Sequence, residues 1–171
     1  MTRVSARPAL LLLVLLVPCR WARSADADGH LFVIERSLNA NAVVYDAVTA
    51  GAGRLDPSSP LRVYWLMRAK HGEVSELNGI EWAKAYGYDV RSCNGGACTI
   101  SLRALRGRPI VVEFANGTPR AVTSIGDTSG ILRRVFVTVG RAGPFPSVEA
   151  VELFGESAET ALPLHERLAI H

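Results

Sequence analysis

The sequence predicts a mainly β domain: an antiparallel β-barrel of about eight strands with one short helix, or alternatively a two-sheet β-sandwich. Three observations carry that prediction. Runs of strand length, rich in Val, Ile, Phe, Tyr, Trp and Thr, recur along the chain. Short clusters of Gly, Asn, Asp and Pro separate them. A single stretch, near residues 76–83, has apolar residues at helical spacing. Many short strands between turn signals favour a sandwich or a barrel over layered folds with helices.

The first 24 of the 171 residues stand apart. Arg3 and Arg7 precede an unbroken apolar run from Ala9 to Val17, which Pro18 ends before small residues follow. A basic start, a short apolar middle and a small-residue exit are the layout of a secretory signal. Cleavage is expected after Ser24 in "ARS" or after Ala27 in "ADA". So short a run cannot span a hydrocarbon core of roughly 30 Å as a helix, and no transmembrane span is expected in the mature chain. Cys19 stands where a lipidated cysteine would, but Pro18 fills the position that needs a small residue, so no lipid anchor is expected. Residues 25–171 then form one domain. Loss of residues 1–24 removes four arginines and no acid. It leaves 15 basic against 16 acidic residues and turns a net charge of +3 into −1. The mature domain lacks the basic excess of a nucleic-acid surface, and that class is set aside.

The elements follow in order. Strands are expected at Leu31–Arg36, Asn41–Ala47, Leu61–Arg68, Tyr86–Cys93, Cys98–Leu105, Pro109–Ala115, Thr118–Ile125, Ile131–Val139 and Val148–Phe154. If Ser37–Ala40 form the first loop, Arg36 faces Asn41, Ile34 faces Val43 and Phe32 faces Tyr45. That register puts Arg36 and Asn41 at the rim of an apolar face, with Asn39 in the turn and Glu35 on the opposite face. In the third strand Val63, Trp65 and Met67 are the inward set, because Arg62 and Arg68 share the other face. A helix is expected over Glu76–Ala83, capped by Ser75 and weakened by Gly79. Asn116-Gly117 suits a two-residue type I′ turn, which places Glu113 opposite Arg120 and turns Ile110, Val112 and Phe114 inward. Val135, Val137 and Val139 form another apolar face. The tail after Gly155 has no clear pattern, although Pro163 opposes one long helix.

Two cysteines remain after cleavage, Cys93 and Cys98, flanking "NGGA". A four-residue hairpin loop would bring them opposite each other, and an even count in an exported chain predicts a disulfide. No His or Cys pairs have zinc spacing, and neither a metal nor a cofactor is expected. "GDTSG" lacks the serine of a nucleophile elbow and reads as a turn. His30, His71, His165 and His171 form no ligand motif and read as surface residues. Glu35 and Asp46 lie on adjacent strands but at opposite ends, a poor geometry for a paired-carboxylate hydrolase. The aromatic set is the stronger lead. Phe32, Tyr45, Trp65, Tyr86 and Tyr88 come from four strands, and a barrel would gather them beneath Arg36 and Asn41.

The stretches "FVIERSLNANAVVYDA", "PLRVYWLM", "ELNGIEWAKAYGY" and "SVEAVELFG" resemble the uncharacterised exported bacterial domain-of-unknown-function family 4833. Ile34-Glu35-Arg36, Asn39, Asn41, Tyr45, Asp46, Tyr64-Trp65, Ala85-Tyr86-Gly87 and Glu152–Gly155 carry the resemblance. It covers residues 30–155 and implies no activity and no catalytic residue. The cysteine pair lies outside the shared pattern.

The function expected is that of an exported, non-enzymatic binding module. Arg36, Asn41, Glu35, Tyr45, Trp65, Tyr86 and Tyr88 are its candidate ligand-binding residues. Its partner would be a small or apolar molecule or an envelope protein, since apolar walls with a few placed polar groups make a ligand pocket. They also describe a packed core with a structural arginine. A hydrolase acting on envelope polymer or lipid, and a structural component of the envelope, are the alternatives.

Overall fold

A computed structural model describes residues 29–51, 53–140 and 147–170. The expected leader, its cleavage positions, Cys19 and His171 lie outside the described residues. Eleven strands are present among them: β1 (His30–Arg36), β2 (Asn39–Ala47), β3 (Leu61–Met67), β4 (Glu73–Glu76), β5 (Tyr88–Asn94), β6 (Ala97–Leu102), β7 (Pro109–Ala115), β8 (Thr118–Ile125), β9 (Thr128–Gly140), β10 (Ser147–Ser157) and β11 (Pro163–Ala169). Between β4 and β5 a single turn of helix, α1 (Gly79–Glu81), runs into a π-helical stretch, Trp82–Tyr86.

The strands form one sheet, ordered β4-β3-β2-β1-β9-β8-β7-β6-β5, with β10 and β11 attached beyond β9. Strand β9 is the hub. β10 runs antiparallel to it from Gly130 to Gly140 and so takes one edge along its length. β8 and β1 therefore share the other edge. β8 pairs antiparallel at Thr128–Ile131, and β1 pairs parallel at Arg134–Val137. Two limbs leave this edge, one through β1 and the other through β8, and the nine-strand path curls into an open half-barrel. Side-chain hydrogen bonds tie the far end of one limb to the other. The Tyr88 hydroxyl accepts from Leu61 N at 3.1 Å and donates to Leu61 O at 2.9 Å. The Tyr45 hydroxyl donates to Tyr86 O at 2.6 Å.

The core lies between the limbs. Phe32, Ile34, Val43, Tyr45, Val63 and Trp65 meet Ile100, Leu102, Ile110, Val112 and Ala121, all buried. Phe32 stacks on Tyr45 with ring centres 4.5 Å apart. Both rings are 0% exposed, so the middle of the half-barrel is filled by side chains. Burial of each contributes about 1.5–3 kcal/mol.

The mainly β expectation holds, as do several registers. Phe32 faces Tyr45, Ile34 faces Val43, and Glu113 faces Arg120. Asn116 and Gly117 take φ of 52° and 79°, the left-handed pair a type I′ turn requires. Trp65 is on the inward face of β3. Other expectations are corrected. The first loop is shorter than Ser37–Ala40: a β-bulge follows Ile34, Arg36 pairs with Asn39, and only Ser37 and Leu38 turn. Asn39 therefore opens β2, where its side-chain oxygen accepts from Asn41 N at 2.9 Å. The loop between the cysteines is Gly95-Gly96 alone, because Asn94 pairs with Ala97. The helix does not start at Glu76 and Ser75 does not cap it. Ser75 and Glu76 pair with β3, opposite Trp65 and Tyr64. Asn78 is the cap: its side chain accepts from Ile80 N and Glu81 N, and Glu81 returns a carboxylate to Asn78 N. Ile80 is 76% exposed, so the expected apolar face of that helix is absent. The unpatterned tail contains β11, and β1 with β9 breaks the all-antiparallel expectation.

Candidate functional site

At one mouth of the half-barrel the core gives way to an open cleft of about 440 Å³. Arg36 is its most distinctive side chain. It is the last residue of β1, on the face that carries Phe32 and Ile34 into the core. Its guanidinium lies over the Trp65 ring at 5.4 Å and over the Tyr86 ring at 5.6 Å. Those rings meet edge to face, 5.2 Å apart. Trp65 arrives from β3 and Tyr86 from the end of the π-helical stretch, so three elements fix the cation. Gly87 lets the π-helical stretch that ends in Tyr86 close on Trp82 O, which a Cβ there would approach to 2.3 Å. Among the described residues Arg36 has no carboxylate and no hydrogen-bond acceptor. Rings hold the charge by cation–π attraction and do not neutralise it.

The cleft walls are polar. Asn39, Asn41 and Asn78 use their side-chain oxygens to accept from backbone N–H groups of Asn41, Ala69 and Ile80. Among the described residues their amide nitrogens have no acceptor. Met67, Ser75, Glu76 and Glu81 complete the lining. Glu76 pairs with Arg62 at 3.1 Å, and Glu81 caps α1. A smaller hollow of about 210 Å³ adjoins, lined by Arg36, Leu38, Asn39 and Val139. Arg36 and Asn39 thus stand between the two. Burial raises the Tyr86 phenol above its ordinary value; the charge of Arg36 opposes that shift and the charge of Glu81 adds to it. The ring beneath Arg36 is therefore neutral at physiological pH.

The expected site residues separate into groups. Arg36, Asn41 and Trp65 line the cleft, and Tyr86 underlies it through Arg36. Tyr45 and Tyr88 lie deeper, buried, with hydroxyls spent on backbone groups. Burial, with the nearby Tyr86, raises the Tyr45 phenol well above its ordinary value. Glu35 is on the outer face, between Arg68 at 2.6 Å and Arg134 at 3.4 Å. Sequence reasoning missed Ser75, Glu76, Asn78 and Glu81. The capping signature Asn78-x-x-Glu81 was a signal for the start of α1, though not for its place beside the cleft.

Asp46 has a setting of its own. His30 Nδ1 lies 3.1 Å from Oδ1, and the Tyr64 hydroxyl donates to Oδ2 at 2.7 Å. Burial opposes ionisation of Asp46, but these hydrogen bonds, with the charges of His30 and Arg62, outweigh it and hold the carboxyl below its usual value. Burial and the Asp46 bond push the Tyr64 phenol up to about 12. Glu35 and Asp46 thus have different partners and do not form a dyad. His165 is exposed, as expected, and is held at the surface by Glu152 at 2.9 Å and by stacking on Phe154, whereas His30 is half-buried beside Asp46.

Cys93 and Cys98 are joined by a disulfide, their Cα atoms 4.1 Å apart across β5 and β6. Among the described residues no cluster of His, Cys, Asp and Glu is placed to hold a metal, and no helix is long and apolar enough to cross a membrane. Comparison with curated proteins and with solved structures returns no match. A family model, described as a domain of unknown function, matches residues 32–167, a span that includes both cysteines and every residue lining the cleft. The chain belongs to that family, DUF4833.

Proposed function

We propose that this protein is an exported, non-enzymatic binding module whose cleft takes a small molecule through an anionic group. The observation that supports it most is Arg36, a cation with no anion among the described residues, held over two rings at the head of an open cleft. Asparagine residues from β2 and from the α1 cap line the same cleft. A guanidinium restrained in this way offers paired donors to a carboxylate or phosphate at reduced entropic cost. Because the aromatic interior is filled, the ligand site is the rim cleft and not the barrel centre. Export is supported by the apolar run at residues 9–17 and by the disulfide. N-terminal sequencing of the secreted chain tests it: a start after Ser24 or Ala27 is expected, and an intact Met1 contradicts it.

The binding test is a fluorescence titration of Trp65 in the mature chain, with Trp82 replaced by Phe, against a panel of small carboxylates and phosphates. At least one saturable response is expected, and Arg36→Gln should weaken it about 10- to 100-fold, the loss of a charge-assisted hydrogen bond worth about 1.5–3 kcal/mol. No response across the panel, or equal affinity in Arg36→Gln, would contradict the reading.

A further inference from the structure

We infer that the cleft is built for a zwitterion of the amino-acid class, a free amino acid or a short peptide. This rests on the binding reading above and deepens it. The cleft carries opposite charges on separate walls. Arg36 stands on the β1 side, stacked on Trp65 and Tyr86. Glu81 stands on the other, in the first turn of α1, whereas Glu76, opposite Tyr64 and paired with Arg62, turns its carboxylate to the outer face. Glu81 forms no ion pair with Arg36 among the described residues, although both line one cleft of about 440 Å³. Opposite charges that share one space without pairing match a ligand bearing both signs, its carboxylate toward Arg36 and its ammonium toward Glu81.

Glu81 keeps capacity for that ammonium: it uses Oε2 for Asn78 N, so its other oxygen has no partner among the described residues. The amides of Asn41 and Asn78 and the Ser75 hydroxyl belong to residues lining the same cleft, the groups that peptide N–H and C=O require. A purely anionic ligand would bring its charge toward the Glu81 carboxylate. The hollow beyond Arg36, walled by Leu38 and Val139, is apolar enough for one aliphatic side chain.

The test is calorimetric titration of the wild-type protein with L-leucine and L-alanyl-L-leucine, each also as its N-acetyl and its C-terminal amide derivative. At least one of the two zwitterions should bind at least tenfold more tightly than either derivative. The variant Glu81→Gln should lose the preference over the N-acetyl form but keep the preference over the amide. Glutamine at position 81 retains the capping box, so α1 persists. Equal binding of the zwitterion and its N-acetyl form would overturn the inference and leave anion binding at Arg36 standing. Equal binding of acid and amide, with no effect of Arg36→Gln, would overturn both. Failure of all six compounds to bind, while a simple carboxylate or phosphate binds through Arg36, would overturn the inference alone.

Discussion

At the scale of single residues, the site depends on how Arg36 is held. Its platform rests on one buried bond: Tyr45 donates to Tyr86 O at 2.6 Å. Tyr45→Phe leaves that buried carbonyl without its donor, a cost of about 1–3 kcal/mol. Because Tyr86 carries Arg36, the variant should also weaken ligand binding while leaving the cleft-lining residues intact. Urea denaturation with the Trp65 titration checks both; unchanged stability would contradict the role of the bond. Acid sensitivity belongs to the same scale. The hydrogen bonds from Arg108 lower the Glu166 carboxyl, aided by Gly126 N and opposed by burial. Asp46 is lowered by His30 and Tyr64 against its own burial. A carboxyl that titrates lower when folded contributes stability above its unfolded value near about 4, lost as the pH falls through the folded value. The urea midpoint should therefore drop as pH is lowered from about 6 to about 3. Glu166→Gln should flatten that drop, and an equal slope in the variant would contradict the assignment.

At the scale of elements, the β5–β6 hairpin and the β9–β10 pair make the clearest claims. The Cys93–Cys98 bridge closes a short loop across a two-residue turn. Chain entropy gives it about 2 kcal/mol, so Cys93→Ala/Cys98→Ala should lower stability by that order and leave the ligand titration unchanged. Gly155 in β10 has another role: a Cβ there would sit 2.2 Å from Ile131 O and 2.6 Å from Ile125 Cδ1. Gly155→Ala should cost about 1–3 kcal/mol by thermal denaturation, and a neutral result would contradict so close an approach. These elements also show what was legible in the sequence. The Asn116-Gly117 hairpin was legible in full because its turn, its ion pair and its apolar face all lie within one short segment. β11 was not, because Glu166 occupies an inward position between Leu164 and Leu168 and interrupts the alternation; the distant Arg108 and Gly126 N account for it. β4 was hidden because all four of its residues are exposed. At the site, Trp65 was reachable from the alternation of β3, but Arg36 and Asn41 were brought together by a first-hairpin register that the bulge after Ile34 overturns. Glu81 was not reachable, because its place depends on how the chain crosses from β4 to β5.

At the scale of the whole molecule, β9 joins two limbs that would otherwise be separate sheets. Among the described residues it alone pairs with three other strands, β1, β8 and β10, whereas β4, β5 and β11 each pair with one. Opening β9 requires both limbs to part, so its amides should exchange with the global unfolding free energy, and those of β4 and β11 should exchange through smaller local openings. Native-state hydrogen exchange checks this, and protection of β4 equal to that of β9 would contradict the branched architecture. The same architecture explains the position of the cleft. The limbs close on a filled aromatic core and diverge at the mouth, where β1 ends in Arg36 and the β4–β5 crossing brings Tyr86 and Glu81 opposite. The central claim is that this arrangement leaves Arg36 as a cation available to a ligand. Its most direct measurement follows the Nε–H resonance of Arg36 by nuclear magnetic resonance during titration with the carboxylate and phosphate panel. The account predicts a saturable shift at Arg36, with Arg120, already bound to Glu113, unmoved. An Arg36 signal that stays fixed while other resonances shift would contradict it.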